Sequence, residues 1–286
     1  MQKKKAVIKV TRIEDFKRYL YERENAGATI QKYVTDIHTF FRYLGEDRTV
    51  DKQRIMAYKE WLQKEYSINS ANSMIAALNQ FLDFLDLGSL KVKRIKMQTN
   101  LFLQDEKELT QDEYRRLLKA AEENGKEQLA LCMETIASTG IRISELGFFT
   151  VENVSKKYIP ITNKGKYRRI FMPGVLQEKL LQFAREQGIQ SGPIFITRNG
   201  HPKSRSNIWR EMKALKEKTG IEGSKIFPHN LRHLFARNYY EVTKDIAGLS
   251  DLLGHGSLNV TRIYTSNTGK IYQKQLDLMN CVKMNT

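Results

Sequence analysis

A mainly α-helical protein with a small antiparallel β-sheet, in two domains, is what this 286-residue sequence predicts. Three observations predict it. Apolar residues recur at helical spacing through most of the chain. The period changes once to a strand-like pattern, between Tyr158 and Met172. A basic stretch without helix caps, Leu90 to Glu108, separates two helical regions. The expected boundaries are a helical bundle over 1–89, a linker over 90–108 and a second domain over 109–286.

The first region reads as four amphipathic helices. Ile13, Phe16 and Leu20 share one face of the first. Thr29 is expected to cap a second, which carries Ile30, Val34, Ile37, Phe41 and Leu44 and stops at Gly45. Asp51 opens a third with Ile55, Tyr58 and Leu62, and a fourth runs through Met74, Ile75, Leu78, Leu82 and Leu85 to Gly88. Four such helices make a small bundle. Arg18, Lys32, Arg42 and Lys59 lie on the polar faces. In the linker, Lys91, Lys93, Arg94 and Lys96 alternate with small apolar residues, which suits either a solvated charge run or a segment crossing phosphates.

The second domain opens on Thr110-Gln111-Asp112-Glu113, a capping-box pattern. One helix runs to Gly125 and another, from Leu129 to Ser138, stops at Gly140. Tyr158–Ile161 and Arg169–Met172 read as short strands around the turn-rich Asn163-Lys164-Gly165-Lys166, with Pro160 confining the first to an edge. A helix from Val175 to Gln187, a short apolar Ile194-Phe195-Ile196, and helices over Ile208–Lys218, Leu231–Glu241 and Ile246–Leu253 follow, with a short one ending near Tyr264.

Lys plus Arg number 48 against 32 Asp plus Glu, a formal charge of +16 that suits a polyanionic partner. The two cysteines, Cys132 and Cys281, form no CxxC, so neither a disulfide framework nor a zinc site is expected, and a reducing cytosol fits. Residues 1–10 lack a sustained apolar stretch, so no signal peptide is expected, and no window reaches the length of a membrane span.

Residue types suited to phosphoryl transfer occur in one order: Arg142, Lys164, His229 with Arg232, His255 and Tyr264. Arginines grip phosphate oxygens in forked hydrogen bonds. Histidines and lysines donate or move protons, and a tyrosine oxygen is a nucleophile able to form a covalent intermediate. Each residue alone has an ordinary structural reading: a surface arginine, a helix pair, a helix-terminal histidine, one of 13 tyrosines. Arg142 follows Gly140 at the entrance to a new segment, whose start is expected to offer backbone N–H groups to an anion. Glu145, three residues on, is expected either to buttress Arg142 or a histidine or to form an ordinary helix ion pair. Lys164 and Lys166 both sit at the hairpin tip. His229 and Arg232 share one helix side, and His233 is expected to point elsewhere.

The strings around these residues are Thr139-Gly140-Ile141-Arg142-Ile143-Ser144-Glu145-Leu146, Pro228-His229-Asn230-Leu231-Arg232-His233 and Leu252-Leu253-Gly254-His255, with Tyr264 nine positions further. Together they resemble the tyrosine recombinase (phage integrase) family of site-specific DNA recombinases, compact Xer-like two-domain type. The resemblance implies an N-terminal four-helix core-binding (SAM-like) bundle and a C-terminal mixed α/β catalytic domain. It implies that Tyr264 attacks a phosphate to form a 3′-phosphotyrosyl bond, with Arg142, His229, Arg232 and His255 stabilising charge and Lys164 protonating the leaving 5′-oxygen. Lys164 is preferred to Lys166 because Arg169 follows it by the family's five positions. Lys91, Lys93, Arg94, Lys96, Lys166, Arg168 and Arg169 are the expected DNA contacts.

No cofactor and no metal are expected: the phosphodiester energy is retained in the covalent bond, and neither a phosphate-cradling Gly-x-x-x-x-Gly-Lys loop nor a carboxylate cluster for Mg²⁺ stands in the sequence. The expected partners are double-stranded DNA and further copies of the chain, monomeric when free and tetrameric in synapsis, with no membrane partner and a cytoplasmic, nucleoid-associated location; an accessory protein is left open. Ile271, Leu276, Met279 and Val282 form an amphipathic stripe after Tyr264, which docks on a neighbouring subunit or folds on its own domain. Two alternatives remain, a type IB topoisomerase-like nicking-closing enzyme and a catalytically silent DNA-binding protein on the same scaffold.

Overall fold

The computed structural model describes residues 5–96, 108–163, 166–254 and 261. The chain divides into two compact units, residues 1–99 and 100–286. Among the described residues no helix is long and apolar enough to cross a membrane.

In the first unit, strand β1 (Ala6–Val7) precedes helices α1 (Arg12–Glu22) and α2 (Gly27–Leu44), then strand β2 (Thr49–Val50) and helices α3 (Lys52–Glu65) and α4 (Ile68–Phe84). β1 and β2 pair antiparallel, Ala6 opposite Val50, a pairing too short to show as a period in the sequence. The helices bury the apolar stripes that their spacing predicts. Phe16, Leu20, Ile37, Phe40, Ile55, Tyr58, Leu62, Ile75, Leu78 and Phe81 form the core, and Phe16 meets Phe81 edge-on at 5.1 Å.

The caps of this unit follow local chemistry with two corrections. Asp51 caps α3 by accepting the Arg54 N–H at 2.8 Å. Thr29 does not cap α2. The helix begins at Gly27, and the Ala26 carbonyl receives the Thr29 and Ile30 N–H groups, which places Thr29 inside the first turn. α4 ends at Phe84 rather than Gly88, and Gly88–Leu90 forms a 3₁₀ turn.

The start of the expected linker belongs with this unit. Leu90 and Val92 are buried in its core. Asn79 pairs with the backbone of Val92 through both amide atoms, donating at 2.9 Å and accepting at 3.1 Å. Asn72 holds Ile95 in the same way, at 3.0 and 2.7 Å. The two asparagines lie two turns apart on one face of α4, so their amides act like a strand edge for the extended segment. Lys93, Arg94 and Lys96 are left exposed, while Lys91 pairs with Asp83 at 2.9 Å. Residues 97–107 of the linker lie outside the described residues.

The second unit begins with α5 (Gln111–Glu123) and α6 (Glu127–Thr139), a six-residue 3₁₀ stretch (Ile143–Phe148) and α7 (Val151–Val154). Strands β3 (Ile159–Asn163) and β4 (Lys166–Ile170) pair antiparallel, with Ile159 opposite Ile170 and Asn163 opposite Lys166. Helices α8 (Gly174–Glu186), α9 (Arg205–Lys213), α10 (Lys216–Thr219), α11 (Pro228–Thr243) and α12 (Ile246–Leu253) follow. The Thr110 capping box is complete: its hydroxyl accepts the Glu113 N–H at 3.2 Å, and Glu113 accepts the Thr110 N–H at 2.8 Å.

One expectation for this unit changes. The helix expected over Ile208–Lys218 starts earlier, capped by Ser204, and is divided into α9 and α10. The short apolar run Ile194-Phe195-Ile196 buries Ile194 and Phe195. Only single bridges, Thr150 to Pro193 and Ile196 to Pro202, occur there, and the prolines bring no N–H to extend a ladder. The core joins α5, α6, α8, α9 and α11 to the strands through Leu117, Ile136, Ile141, Phe149, Ile161, Leu180, Met212 and Leu231. Cys132 is fully buried in it, which pushes its thiol well above the ordinary range.

Candidate active site

α6 ends at Gly140, which turns the chain in the left-handed conformation at φ 63°. A Cβ there would stand 2.3 Å from the Phe235 ring, so the residue needs both glycine's backbone freedom and its missing side chain. Ile141 then drops into the core and Arg142 turns outward. The segment it opens is 3₁₀ and only six residues long, so the expected anion site on helix-start N–H groups is not built. The Arg142 backbone N–H instead donates to Glu145 Oε2 at 2.7 Å. Arg142 presents its guanidinium as a side chain: it is 42% exposed, with Nη1 held 3.3 Å from Glu145 Oε1. Glu145 itself is 1% exposed.

Pro228 starts α11, where its missing N–H costs nothing. His229 follows at the helix entrance and is exposed to solvent. Partial burial of its ring, with His233, Arg232 and Arg142 nearby, lowers its pKa to about 4. It is therefore a neutral imidazole at neutral pH in this state. His233 does not point elsewhere: the two rings lie 4.5 Å apart, as i and i+4 neighbours on one face. His233 Nδ1 is in turn 3.8 Å from Glu108 Oε1, and Glu108 Oε2 pairs with Arg237 at 2.6 Å.

Arg232 lies beneath this surface, 2% exposed. Its Nη1 donates to the Gly140 carbonyl at 2.6 Å and its Nη2 to the Leu253 carbonyl at 2.8 Å. These are carbonyls at the C-terminal ends of α6 and α12, which point out of their helices. One guanidinium thus joins the corner before Arg142 to the corner before His255.

Arg168 departs from its expected role as a DNA contact. Its side chain is 12% exposed, its Nη2 pairs with Glu145 Oε2, and its Nη1 donates to the Leu252 carbonyl. A buried carboxylate and a helix-end carbonyl outcompete solvent for it. Arg169, its neighbour on the opposite strand face, is exposed and stacks over the Tyr158 ring at 4.6 Å. Lys164, His255 and Tyr264 lie outside the described residues. For Lys166 the strand pairing with Asn163 is defined.

A cavity of about 450 Å³ adjoins the site, lined by Ile143, Pro228 and His229 on one side and by Arg205, Trp209 and Lys213 of α9 on the other. The α9 residues were not singled out from the sequence. Their signal there, a half-exposed tryptophan among cations on an amphipathic helix, differs little from an ordinary solvated face.

The arrangement offers an exposed forked donor, a neutral imidazole beside it and a buried cation below, a donor set whose chemistry suits an oxyanion. Comparison with known proteins agrees with this chemistry. Residues 107–270 match the phage integrase family, and residues 13–87 match the phage integrase N-terminal SAM-like domain. The chain is 28% identical over 280 residues to tyrosine recombinase XerA of Pyrococcus furiosus, covering 95% of this chain and 94% of the relative. It is 29% identical over 280 residues to tyrosine recombinase XerD of Listeria monocytogenes, covering 90% and 94%. Among solved structures, that of a lambda integrase tetramer bound to a Holliday junction shares the fold with a TM-score of 0.70 at 22% identity, covering 86% of this chain and 77% of that one.

Proposed function

The chain belongs to the phage integrase family, and from that premise we propose how this site-specific tyrosine recombinase cuts and rejoins DNA. Tyr264 attacks the scissile phosphorus, a 3′-phosphotyrosyl bond forms, and the 5′-oxygen leaves as a hydroxyl. The 5′-hydroxyl of a partner duplex then attacks the phosphotyrosyl bond, the strands exchange and Tyr264 is released. One ester replaces another at each step, so no external energy source enters.

The observation that carries this reading is the convergence of Arg142, His229 and Arg232 on the Gly140 corner. Arg142 grips non-bridging phosphate oxygens from its exposed position. His229, neutral before DNA arrives, gains a proton or a hydrogen bond as the dianionic transition state develops beside it. Arg232 contributes positive charge from below while holding the two corners together. His255 supplies a further hydrogen-bond donor to the transition state, and Lys164 protonates the leaving 5′-oxygen, with Lys166 as its competitor.

The exposed Lys93, Arg94 and Lys96, with Lys91, Lys166 and Arg169, contact the DNA backbone. By analogy with the lambda integrase tetramer on a Holliday junction, four copies assemble on two duplexes, each working on chromosomal or element DNA in the cytoplasm. The chain's relatives bear recombinase names, and nothing in the site favours a nicking-closing enzyme that relaxes a single duplex.

The test is covalent trapping on a nicked suicide duplex together with strand exchange between two duplexes. Wild type is expected to form an adduct and to produce recombinant strands. Tyr264→Phe keeps the ring and DNA affinity and is expected to lose the adduct. Adducts persisting in that variant would move the nucleophile to Tyr272 or Tyr240, and adducts without strand exchange would point to relaxation of one duplex.

A further inference from the structure

Glu145 is almost wholly buried, yet two arginines of opposite character share it. Arg142 reaches it from the exposed side through a long 3.3 Å contact and its backbone N–H. Arg168 reaches it from β4 through Nη2 at Oε2, with a side chain only 12% exposed. A buried carboxylate without a close cation is expensive, and it draws in whatever cation is available. Of the two, Arg168 is the one positioned to satisfy that demand.

Arg168 is also held from a second direction. Its Nη1 donates to the Leu252 carbonyl, 84 positions away in sequence. Its stem passes so close to Gly254 that a Cβ there would stand 2.7 Å from Arg168 Cδ. The absent side chain at Gly254 gives the arginine its passage. The guanidinium is therefore fixed by a carboxylate on one segment and a carbonyl on another, and its place is over-determined.

We propose that Arg168 is a positioning residue for Arg142: it neutralises Glu145 from the strand side, and so leaves the Arg142 guanidinium turned outward to take the scissile phosphate. Without Arg168, Glu145 recruits Arg142 into a closer, forked pair, and the phosphate loses its gripping group. The proposal rests on the reading of Arg142 as the phosphate clamp. It is distinct from the expectation that Arg168 touches DNA.

The test uses the full chain and two suicide duplexes, one with an ordinary scissile phosphate and one with a methylphosphonate there. Replacing a charged non-bridging oxygen by methyl removes the negative charge that Arg142 answers. Arg168→Ala is expected to slow adduct formation on the phosphate duplex about 10²-fold, and by less than about 5-fold on the methylphosphonate duplex, with DNA affinity within about 2-fold of wild type. Arg142→Ala is expected to show the same relief. Arg168→Lys keeps a cation near Glu145 without spanning both acceptors and is expected to fall between wild type and Arg168→Ala; it also serves if the alanine variant does not fold. If Arg142→Ala is relieved by methylphosphonate and neither Arg168 variant is, the positioning role is overturned and the clamp reading stands. Absence of relief in Arg142→Ala overturns the clamp reading and this proposal with it. If Arg168→Ala cleaves normally at saturating DNA but binds more weakly, with a salt slope lower by about one, Arg168 is a phosphate contact and the proposal fails.

Discussion

Arg232 donates to the carbonyl of Leu253 at 2.8 Å from a position 2% exposed, while its other terminal nitrogen takes the Gly140 carbonyl at 2.6 Å. The arginine of the His-x-x-Arg motif thus closes the ends of two helices. Its removal is expected to cost both stability and chemistry. Arg232→Ala leaves two buried carbonyls without this donor and should lower unfolding free energy by about 2–4 kcal/mol in urea. Arg232→Lys keeps the charge but cannot span both carbonyls, so it should bind DNA yet form adducts at least about 10²-fold more slowly. A lysine variant with wild-type adduct rates would show that the two-carbonyl bridge is unimportant for cleavage.

Gly140→Ala is expected to destabilise the second unit by about 2 kcal/mol or more, since φ is 63° and the new methyl meets Phe235 at 2.3 Å. Phe235→Leu in the same chain should recover part of that loss, because it relieves the contact and not the backbone. Urea midpoints of the two single variants and the double one measure the split. Strict additivity of the two losses would mean that the ring contact is irrelevant.

His229 is expected to contribute an acid-sensitive part of the stability. Its folded pKa, about 4, lies below the unfolded value of about 6.5. Between those two pH values the unfolded chain binds the extra proton, so this group's contribution to stability falls as pH drops from about 6.5 to about 4. Melting temperatures of wild type and His229→Gln compared across that window should converge at the acid end relative to pH 7. Parallel curves would show that His229 does not titrate abnormally. Bound DNA supplies negative charge and is expected to raise the His229 pKa, visible in its ring proton shifts.

The extended segment that Asn72 and Asn79 hold against α4 is expected to stabilise the first unit. Asn79→Ala removes both hydrogen bonds to Val92 and should cost about 1–2 kcal/mol. Hydrogen exchange at the Val92 amide should rise in that variant. Protection unchanged there would mean that burial of Leu90 and Val92 holds the segment without the asparagine.

The +16 formal charge predicts steep salt dependence of DNA binding, with affinity falling about 10³-fold between about 50 and 200 mM salt. Lys93→Ala and Arg94→Ala remove exposed cations of the linker and should each reduce the slope by about one. Unaltered slopes would place the linker away from phosphates.

Features resting on neighbours in sequence could be read in advance. The Thr110–Glu113 box, the Asp51 cap, the Pro228 start and the Gly140 stop each depend on groups within a turn, and the structure contains all of them. The stripes Ile13-Phe16-Leu20 and Ile55-Tyr58-Leu62 are buried for the same reason, since helical period alone sets which residues share a face. The His-x-x-Arg spacing placed His229 and Arg232 on one helix, but the same period also puts His233 against His229, a consequence missed by considering the motif alone.

What the chain's local chemistry determined, then, was its element types, its two helical regions, and the identity and order of the residues proposed for phosphate chemistry. The depth and direction of those residues came from packing. Arg168 looked like a surface cation and turned out to face Glu145, 23 positions away, and Leu252, 84 away. Arg232 became a buried bridge because Gly140 and Leu253, 92 and 21 positions distant, end their helices on either side of it. An arginine's sequence neighbours state that it is charged. Which buried acceptor claims that charge is set by segments that meet only when the core closes, because desolvated carbonyls and carboxylates must find donors wherever the fold brings one within reach.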